Sequence, residues 1–278
     1  MSVTRSPFRS PVRGPTQSPF GAGRLLERTR TFRDRVKNEG GSIEDDCLKG
    51  LYDPILRTVK DWGLLPDLVF FGSASAVEIN SGSIPRLFDA SGNEYDPTQN
   101  DTAKQPALKK DSIGGHWGGD YDGSGDLLHT DLPSAVSRPH TLLSVMQTDE
   151  TSGDNRWATQ YNDNTTGGGS PIYFKYSGEF QLWGGSNSIS GQTTDKNPHL
   201  LSGWLDGSGN GKFWIDGTSQ GTGSSLGQND AKGVTLAEGD SDPWDGIKTI
   251  DILFGPVQLL ESQISELEKI INDYYSIY

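Results

Sequence analysis

The sequence is short of the residues that cross-link small folds or build metal centres. It contains one cysteine, Cys47, and four histidines among 278 residues. A single cysteine excludes a disulfide within the chain and a zinc site built from several thiolates, so burial of apolar side chains must stabilise the fold. Cys47 has helical neighbours and no histidine nearby in the sequence, so we expect a small buried hydrophobe rather than a reactive thiol.

Long apolar runs and clustered basic charge are also lacking. No stretch of about 18 apolar residues is present, and the N-terminus has no apolar segment of the secretory type, so we expect neither a membrane span nor a signal peptide. The formal net charge is −13, whereas a nucleic-acid-binding face needs clustered lysine and arginine. We therefore expect a soluble protein, made in a cytoplasm, with no nucleic-acid partner and no membrane partner.

Glycine, by contrast, is abundant, with 36 residues. Runs of Gly, Ser, Asn and Asp recur about every dozen residues, a pattern typical of many short strands joined by loops, so the chain is predicted to be mainly β. In the segment Gly211 to Thr222, Phe213, Trp214 and Ile215 favour a strand, and Asp216-Gly217 favours a tight hairpin turn. Further strands are predicted at 68–71, 84–88, 141–147, 156–161, 172–176, 179–183, 200–205 and 247–254.

The first 24 residues differ from the rest of the chain. They carry four prolines and several arginines without one acidic residue, so they cannot form a helix or a central strand. Such arms are usually disordered linkers, or else they lie extended on another subunit. We favour an extended anchor that attaches the protein to an assembly, through Arg5, Phe8, Arg9, Arg13 and Phe20.

Residues 25–66 are predicted to form a small helical hairpin. Phe32 and Val36 stand four residues apart, and the glycines after Asn38 stop the first helix. Apolar residues at spacings of three and four predict a second helix, which Pro54 kinks or divides. A C-terminal helix beginning near Pro256 is predicted from Leu259, Ile264, Leu267, Ile270 and Ile271. The remainder, 67–278, is predicted to be one β domain with this helix at its end.

The order of several short blocks carries a family resemblance. The blocks are Arg86 to Asn93, Lys104 to Ala107, Asp120 to Leu128, Thr141 to Gln147, Gly203 to Asp206, Phe213 to Gly217 and Gly246 to Leu253. Over residues 69–278 this order resembles the concanavalin A-like lectin/glucanase superfamily, in its laminin-G-like form common in bacteriophage proteins. The resemblance implies a two-sheet antiparallel jelly-roll sandwich.

The arm and helices resemble the leading part of phage virion proteins that attach a lectin-like domain to a particle. This implies a virion structural protein, in a fibre, in the tail or decorating the capsid. The implied partners are other virion proteins, further copies in a trimer and host cell-surface carbohydrate. Two alternatives stay open: a purely structural cement or decoration protein without sugar binding, and a polysaccharide-degrading enzyme.

Catalytic patterns are not found in the sequence. Glucanases of the superfamily use Glu-x-Asp-x-x-Glu on a strand for retaining hydrolysis, whereas Glu94-Tyr95-Asp96 and Glu238-Gly239-Asp240 lack the last glutamate. The histidines His116, His129, His140 and His199 show no spacing typical of a zinc site. We therefore expect no catalytic residue, no metal and no enzyme.

Sugar binding needs aromatic faces and polar groups that fix hydroxyls. Trp117 and Trp244 lie in Gly/Asp-rich segments where a loop could expose them, so with Asp120, Asp122 and Asp126 they form the predicted ligand site. Calcium could bind these carboxylates, but the spacing lacks a defined loop pattern, and a turn held by Asx hydrogen bonds is the alternative. No other cofactor is expected. Core packing is expected of the tryptophans within strands, namely Trp157, Trp183, Trp204 and Trp214.

Overall fold

The computed structural model describes residues 25–44, 46–148, 156–161, 172–176, 178–184, 187–193, 195–227, 230–237 and 244–278, with side chains for all of these except 156–161, 172–176 and 193. The predicted anchor residues of the arm therefore lie outside the described residues. No helix of the described part is long and apolar enough to cross a bilayer.

The chain has few helices, near its two ends, and many strands between them. The helices are α1 (Glu27–Asn38), a π-helical turn (Leu48–Tyr52) that runs into α2 (Asp53–Asp61), and α3 (Glu261–Tyr275). The first eight strands are β1 (Ser42–Ile43), β2 (Leu68–Asn80), β3 (Ser83–Asp89), β4 (Ala107–Lys109), β5 (Gly118–Asp122), β6 (Leu128–Val136), β7 (His140–Thr148) and β8 (Arg156–Tyr161). The other eight are β9 (Ile172–Tyr176), β10 (Glu179–Trp183), β11 (Ser188–Thr193), β12 (His199–Leu205), β13 (Gly211–Ile215), β14 (Thr218–Gly223), β15 (Ala231–Leu236) and β16 (Asp245–Phe254).

The strands form two antiparallel sheets. The larger has ten strands in the order β1-β2-β3-β4-β5-β16-β7-β12-β13-β14, and the smaller has six in the order β11-β10-β9-β8-β15-β6. In the larger sheet β2 pairs with β16 as well as with β3. Strands β2, β3, β4, β5 and β16 therefore close into a ring, which a simple two-sheet sandwich lacks. The mainly β prediction with N-terminal helices and a C-terminal helix is confirmed, and the ring was not predicted.

Two hydrophobic cores lie on opposite faces of the ten-stranded sheet. The sheet–sheet core contains residues of both sheets, including Phe70, Leu142 and Leu253. The helix–sheet core joins α1, α2 and α3 to the other face, where Phe71 and Ile252 lie. Strands β2, β7 and β16 are covered on both faces, which explains why their sequences are nearly continuous apolar runs.

The helices on the second face follow from local sequence. Phe32 and Val36 are buried on one side of α1, and Gly40 then takes a φ of 80°, a left-handed conformation that glycine adopts without strain. Pro54 lies at the junction between the π-helical turn and α2 and has no N–H to donate to the preceding turn, so the helical run divides there into a π segment and an α segment. Cys47 is buried, and its predicted role as a small core residue is confirmed.

The hairpin at Asp216-Gly217 joins β13 and β14 as predicted. Both residues have positive φ, 50° and 71°, which is the requirement of the commonest two-residue hairpin turn. The backbone N–H of Asp216 donates to the carbonyl of Leu200 at 2.9 Å. Its carboxylate accepts from the Leu200 N–H, also at 2.9 Å. This turn therefore fixes the start of the neighbouring strand β12.

Candidate functional site

The predicted ligand site around β5 is only partly exposed. Trp244, expected at a loop tip, is 1% exposed and packs on the ring of Tyr121 at a centroid distance of 5.7 Å. The expectation of an exposed Trp244 is wrong, because the indole fills the sheet–sheet core beside the start of β16. Trp117 is half-buried against the same core, and the Lys110 ammonium lies 5.3 Å from its ring centroid.

The three predicted aspartates each contact neighbouring protein groups. Asp120 forms an ion pair with Lys109 at 3.0 Å. Asp122 accepts hydrogen bonds from the Ser124 N–H at 2.9 Å and the Ser124 hydroxyl at 2.6 Å, the Asx turn that was the alternative to calcium. Asp126 in turn accepts from the Asp122 N–H at 3.2 Å.

The pKa values of Asp122 and Asp126 are shifted in opposite directions. Hydrogen bonds from Ser124 lower the pKa of Asp122. Burial, with the nearby charges of Asp122 and Asp120, raises the pKa of Asp126 to about 6. The two residues are linked by the backbone hydrogen bond from Asp122 to the Asp126 carboxylate. Within the described part of the chain, no group of three or more His, Cys, Asp or Glu residues is arranged to hold a metal ion.

The block from Arg86 to Asp96, which carried part of the family resemblance, is a structural loop. The buried Asp89 accepts from the backbone N–H groups of Phe71, Ser91 and Tyr95 at 2.9, 2.8 and 3.1 Å. Asp96 forms ion pairs with Arg35 at 3.0 Å and with Arg86. These carboxylates hold β3 against β2 and α1, so this block carries fold rather than chemistry.

A different surface presents groups suited to sugars. On β10, Phe180 and Leu182 point into the sheet–sheet core, so Gln181 and Trp183 lie on the opposite side of the strand. Their antiparallel partners on β11 are Ser190 for Gln181 and Ser188 for Trp183. We call these four residues, Gln181, Trp183, Ser188 and Ser190, the outer patch.

The outer patch combines an indole, an amide and two hydroxyls on the solvent side of the six-stranded sheet. Trp183 and Gln181 are half-buried and Ser190 is exposed. Core packing was expected of Trp183, and that expectation is wrong because the alternation of β10 turns it outward. The sequence signal was available in Glu179-Phe180-Gln181-Leu182-Trp183, whose period of two assigns Trp183 to the polar side.

The other tryptophans within strands have different outcomes. Trp214 is 7% exposed, so the expectation that it packs in the core is confirmed. The side chain of Trp157 lies outside the described residues.

At one end of β12, a histidine joins two carboxylates. His199 is 7% exposed, and its Nδ1 and Nε2 atoms lie 2.6 Å from Asp216 Oδ2 and 3.0 Å from Asp195 Oδ1. Although burial lowers the pKa of His199, the two carboxylates outweigh burial and raise it above its ordinary value. We call His199, Asp195 and Asp216 the rim clamp, because they tie the segment before β12 to the β13–β14 turn.

Comparison with known proteins gives structural matches alone. No protein-family model matches the chain, and no curated protein matches it. The solved structures that match include a Trypanosoma rangeli sialidase, with a TM-score of 0.53 and 14% identity over 78% of this chain and 39% of that protein. The binding domain of botulinum neurotoxin serotype D matches with a TM-score of 0.54 and 11% identity over 75% of this chain and 52% of the toxin domain.

An arabinofuranosidase in complex with arabinofuranosyl-alpha-1,2-xylobiose matches with a TM-score of 0.57 and 11% identity, over 69% of this chain and 51% of the enzyme. The chain thus spans about half or less of each of these proteins. At these identities the likeness concerns the fold alone.

The matches correct one expectation. The absence of a glucanase triplet led us to expect no enzyme, but this fold occurs in proteins that are a sialidase and an arabinofuranosidase. The missing Glu-x-Asp-x-x-Glu pattern therefore does not exclude a glycosidase, and the prediction of a non-enzyme is wrong.

Proposed function

We propose that this chain is a carbohydrate-binding structural protein of a phage particle, and that the outer patch is where it contacts glycan. The observation that carries the proposal is Trp183 beside Gln181 on the solvent side of β10, with the hydroxyl side chains of Ser188 and Ser190 across the strand pair. An indole stacks on the apolar face of a sugar ring, and amide and hydroxyl groups hydrogen-bond its hydroxyls.

The structural neighbours support a sugar ligand. The botulinum toxin domain is named in complex with N-acetylneuraminic acid and a T. rangeli sialidase in complex with sialic acid. We propose for this chain the finer architecture implied by its sequence blocks, a concanavalin A-like jelly roll with an additional closed ring. A surface on the outer side of one sheet is compatible with an extended glycan, because such a surface does not limit the length of its ligand.

The proposed particle location depends on the N-terminal arm. Residues 1–24 combine proline with unbalanced arginine, a composition suited to an extended anchor on acidic partner surfaces. The proposal includes other virion proteins and further copies of the chain, in a trimer, as partners. Deletion of residues 1–24 should reduce incorporation into particles, and incorporation at the level of the intact chain would contradict the anchor.

A glycan array with the full chain tests the sugar site. It should include sialylated glycans and neutral arabinose- and xylose-containing glycans. Trp183→Ala should abolish the signal and Trp183→Phe should retain part of it, because phenylalanine keeps an aromatic face. The matched control is Trp62→Ala, which removes another half-buried indole, one that packs on the helix–sheet core. No binding to any glycan by the folded chain would favour the purely structural alternative.

Glycoside hydrolysis is a second candidate, favoured by the two glycosidases among the structural neighbours. Opposite pKa shifts at Asp122 and Asp126 are typical of a base and an acid that act as a pair. Asp126 accepts a hydrogen bond from the Asp122 N–H, so the two residues are neighbours at the end of β5. Release of reducing sugar that is lost in Asp126→Asn would establish this function, and no release would remove it.

A further inference from the structure

An open groove of about 520 Å³ lies beside the first turns of α1, on the helix side of the molecule and away from the outer patch. Its walls are Leu26, Glu27, Arg28 and Thr31 of the α1 segment, Lys60 of α2, Leu65 and Gly92. This volume is in the range of ligand-binding clefts. Two cationic side chains and two leucines therefore face one cleft, with Glu27 as the one acidic group of its wall.

Arg28 is a half-buried arginine without a carboxylate partner among the described residues. Four other arginines nearby are paired, Arg33 with Asp34, Arg35 with Asp96, Arg57 with Asp53, and Arg86 with Glu39 and Asp96, whereas Arg30, which also forms no ion pair within the described part of the chain, is exposed. Among the described residues, the guanidinium of Arg28 makes neither an ion pair nor a hydrogen bond. Its five N–H donors are left to solvent or to a ligand.

Two acidic groups on this side of α1 are already occupied, and Glu27, in the groove wall, is exposed. Asp89 attracts Arg28 electrostatically, but its carboxylate accepts from Phe71, Ser91 and Tyr95. Asp53 is taken up by Thr29 at 3.1 Å and Arg57 at 2.6 Å. Arg28 therefore remains a charge without a bonded counter-charge next to saturated acceptors.

The guanidinium of Arg28 lies close to Gly92. A Cβ atom on Gly92 would lie 2.4 Å from a guanidinium nitrogen of Arg28, and Gly92 has a φ of 89°. The guanidinium thus packs against a backbone that only glycine leaves open, and burial there lowers the pKa of Arg28. A partly desolvated guanidinium in the wall of a groove is a donor suited to a planar anion.

We propose that this groove binds an acidic peptide segment of a partner protein, with a carboxylate on Arg28 and Lys60 and apolar side chains on Leu26 and Leu65. The two leucines favour a peptide over a small inorganic anion, because they offer apolar surface that phosphate cannot use. The groove begins two residues after the basic arm, so an acidic partner would meet the arm and the groove together. The groove stands on its own observations, independent of the outer patch.

The test is an NMR titration of the full-length, 15N-labelled chain with the peptide Ac-Leu-Glu-Leu-Asp-NH2. Saturable shifts are expected at amides of the groove wall, and the amide analogue Ac-Leu-Gln-Leu-Asn-NH2 should produce none. Arg28→Gln should weaken binding at least about tenfold, the effect of losing one charge-assisted bidentate contact. Lys60→Gln should weaken it less, since an ammonium cannot bind bidentately.

Arg30→Gln is the matched control, because Arg30 is an exposed arginine of the same helix that does not line the groove. It should leave the affinity unchanged. Thermal midpoints of the variants separate loss of binding from loss of fold, and if Arg28→Gln unfolds, Lys60→Gln decides. Equal binding of the amide peptide, an equal loss in Arg30→Gln, tighter binding of inorganic phosphate than of the peptide, or no shifts at all would each overturn the proposal.

Discussion

The two carboxylates of the rim clamp should contribute unequally to stability. Asp216 is 22% exposed and Asp195 is 50% exposed, while the imidazole between them is 7% exposed. A charge-assisted hydrogen bond to a buried partner contributes roughly 1.5–3 kcal/mol, and an exposed ion pair less than about 1 kcal/mol. Asp216→Asn should therefore lower the free energy of unfolding by about 2 kcal/mol, and Asp195→Asn by less than about 1 kcal/mol. Asparagine tolerates the positive φ of position 216, so the change tests charge rather than backbone strain.

The effect should depend on pH. The folded-state pKa of His199 is raised, so its contribution is fully present below the ordinary histidine pKa and is lost as pH rises through the folded value. Urea denaturation of the wild-type chain and both variants, at about pH 6 and about pH 8.5, measures this. The loss in Asp216→Asn should shrink at the higher pH. Equal losses in the two variants, or a loss in Asp216→Asn that grows with pH, would refute the reasoning.

Three further predictions concern the helix–sheet face. Gly114→Ala should destabilise the chain by about 2 kcal/mol or more, measured by the thermal midpoint, because its Cβ would lie 2.1 Å from the carbonyl oxygen of Tyr275 and its φ is 63°; an unchanged midpoint would contradict this packing. Glu268 is 4% exposed, accepts a hydrogen bond from Ser202 and has a pKa raised by burial. Its contribution is present below the ordinary glutamate pKa and is lost as pH rises through the folded pKa, so Glu268→Gln should flatten the decline of stability as pH rises above the ordinary glutamate pKa, and a steeper decline would count against the assignment. Buried Cys47 should react with a thiol reagent only on unfolding, and rapid reaction in the native protein would show that the site opens.

Much of the fold was predictable because local pattern and tertiary burial agree. Residues 68–71 are continuously apolar, and β2 is buried on both faces. Asp216-Gly217 predicted the turn that forms. Strands β11 and β15 were missed because their sequences, Ser188 to Thr193 and Ala231 to Leu236, contain serine, threonine, glycine and lysine at positions that pairing with neighbours makes extended. The partners of β15, which are β6 and β8, are distant in sequence, whereas β11 pairs with the preceding strand β10. Local propensity carries little signal for either strand.

The candidate site was harder to predict than the fold. Trp244 follows a Gly/Asp-rich segment, and composition there favours a loop, yet its indole packs on Tyr121 because the start of β16 lies over the core. Trp183 was assigned to the core because tryptophan usually is buried in strands, although the alternation of β10 placed it outside. Arg28 could not be identified from sequence, because the absence of a partner depends on how Asp89 and Asp53 are already bonded.

The central claim is that the outer patch binds glycan, and a quantitative titration tests it most directly. A glycan identified on the array is titrated into the full chain by calorimetry, together with Trp183→Ala, Gln181→Ala and Trp62→Ala. The account predicts a loss of about tenfold or more for Trp183→Ala, a smaller loss for Gln181→Ala, and wild-type affinity for Trp62→Ala. Wild-type affinity in Trp183→Ala, with the fold intact, would place the sugar elsewhere and contradict the claim.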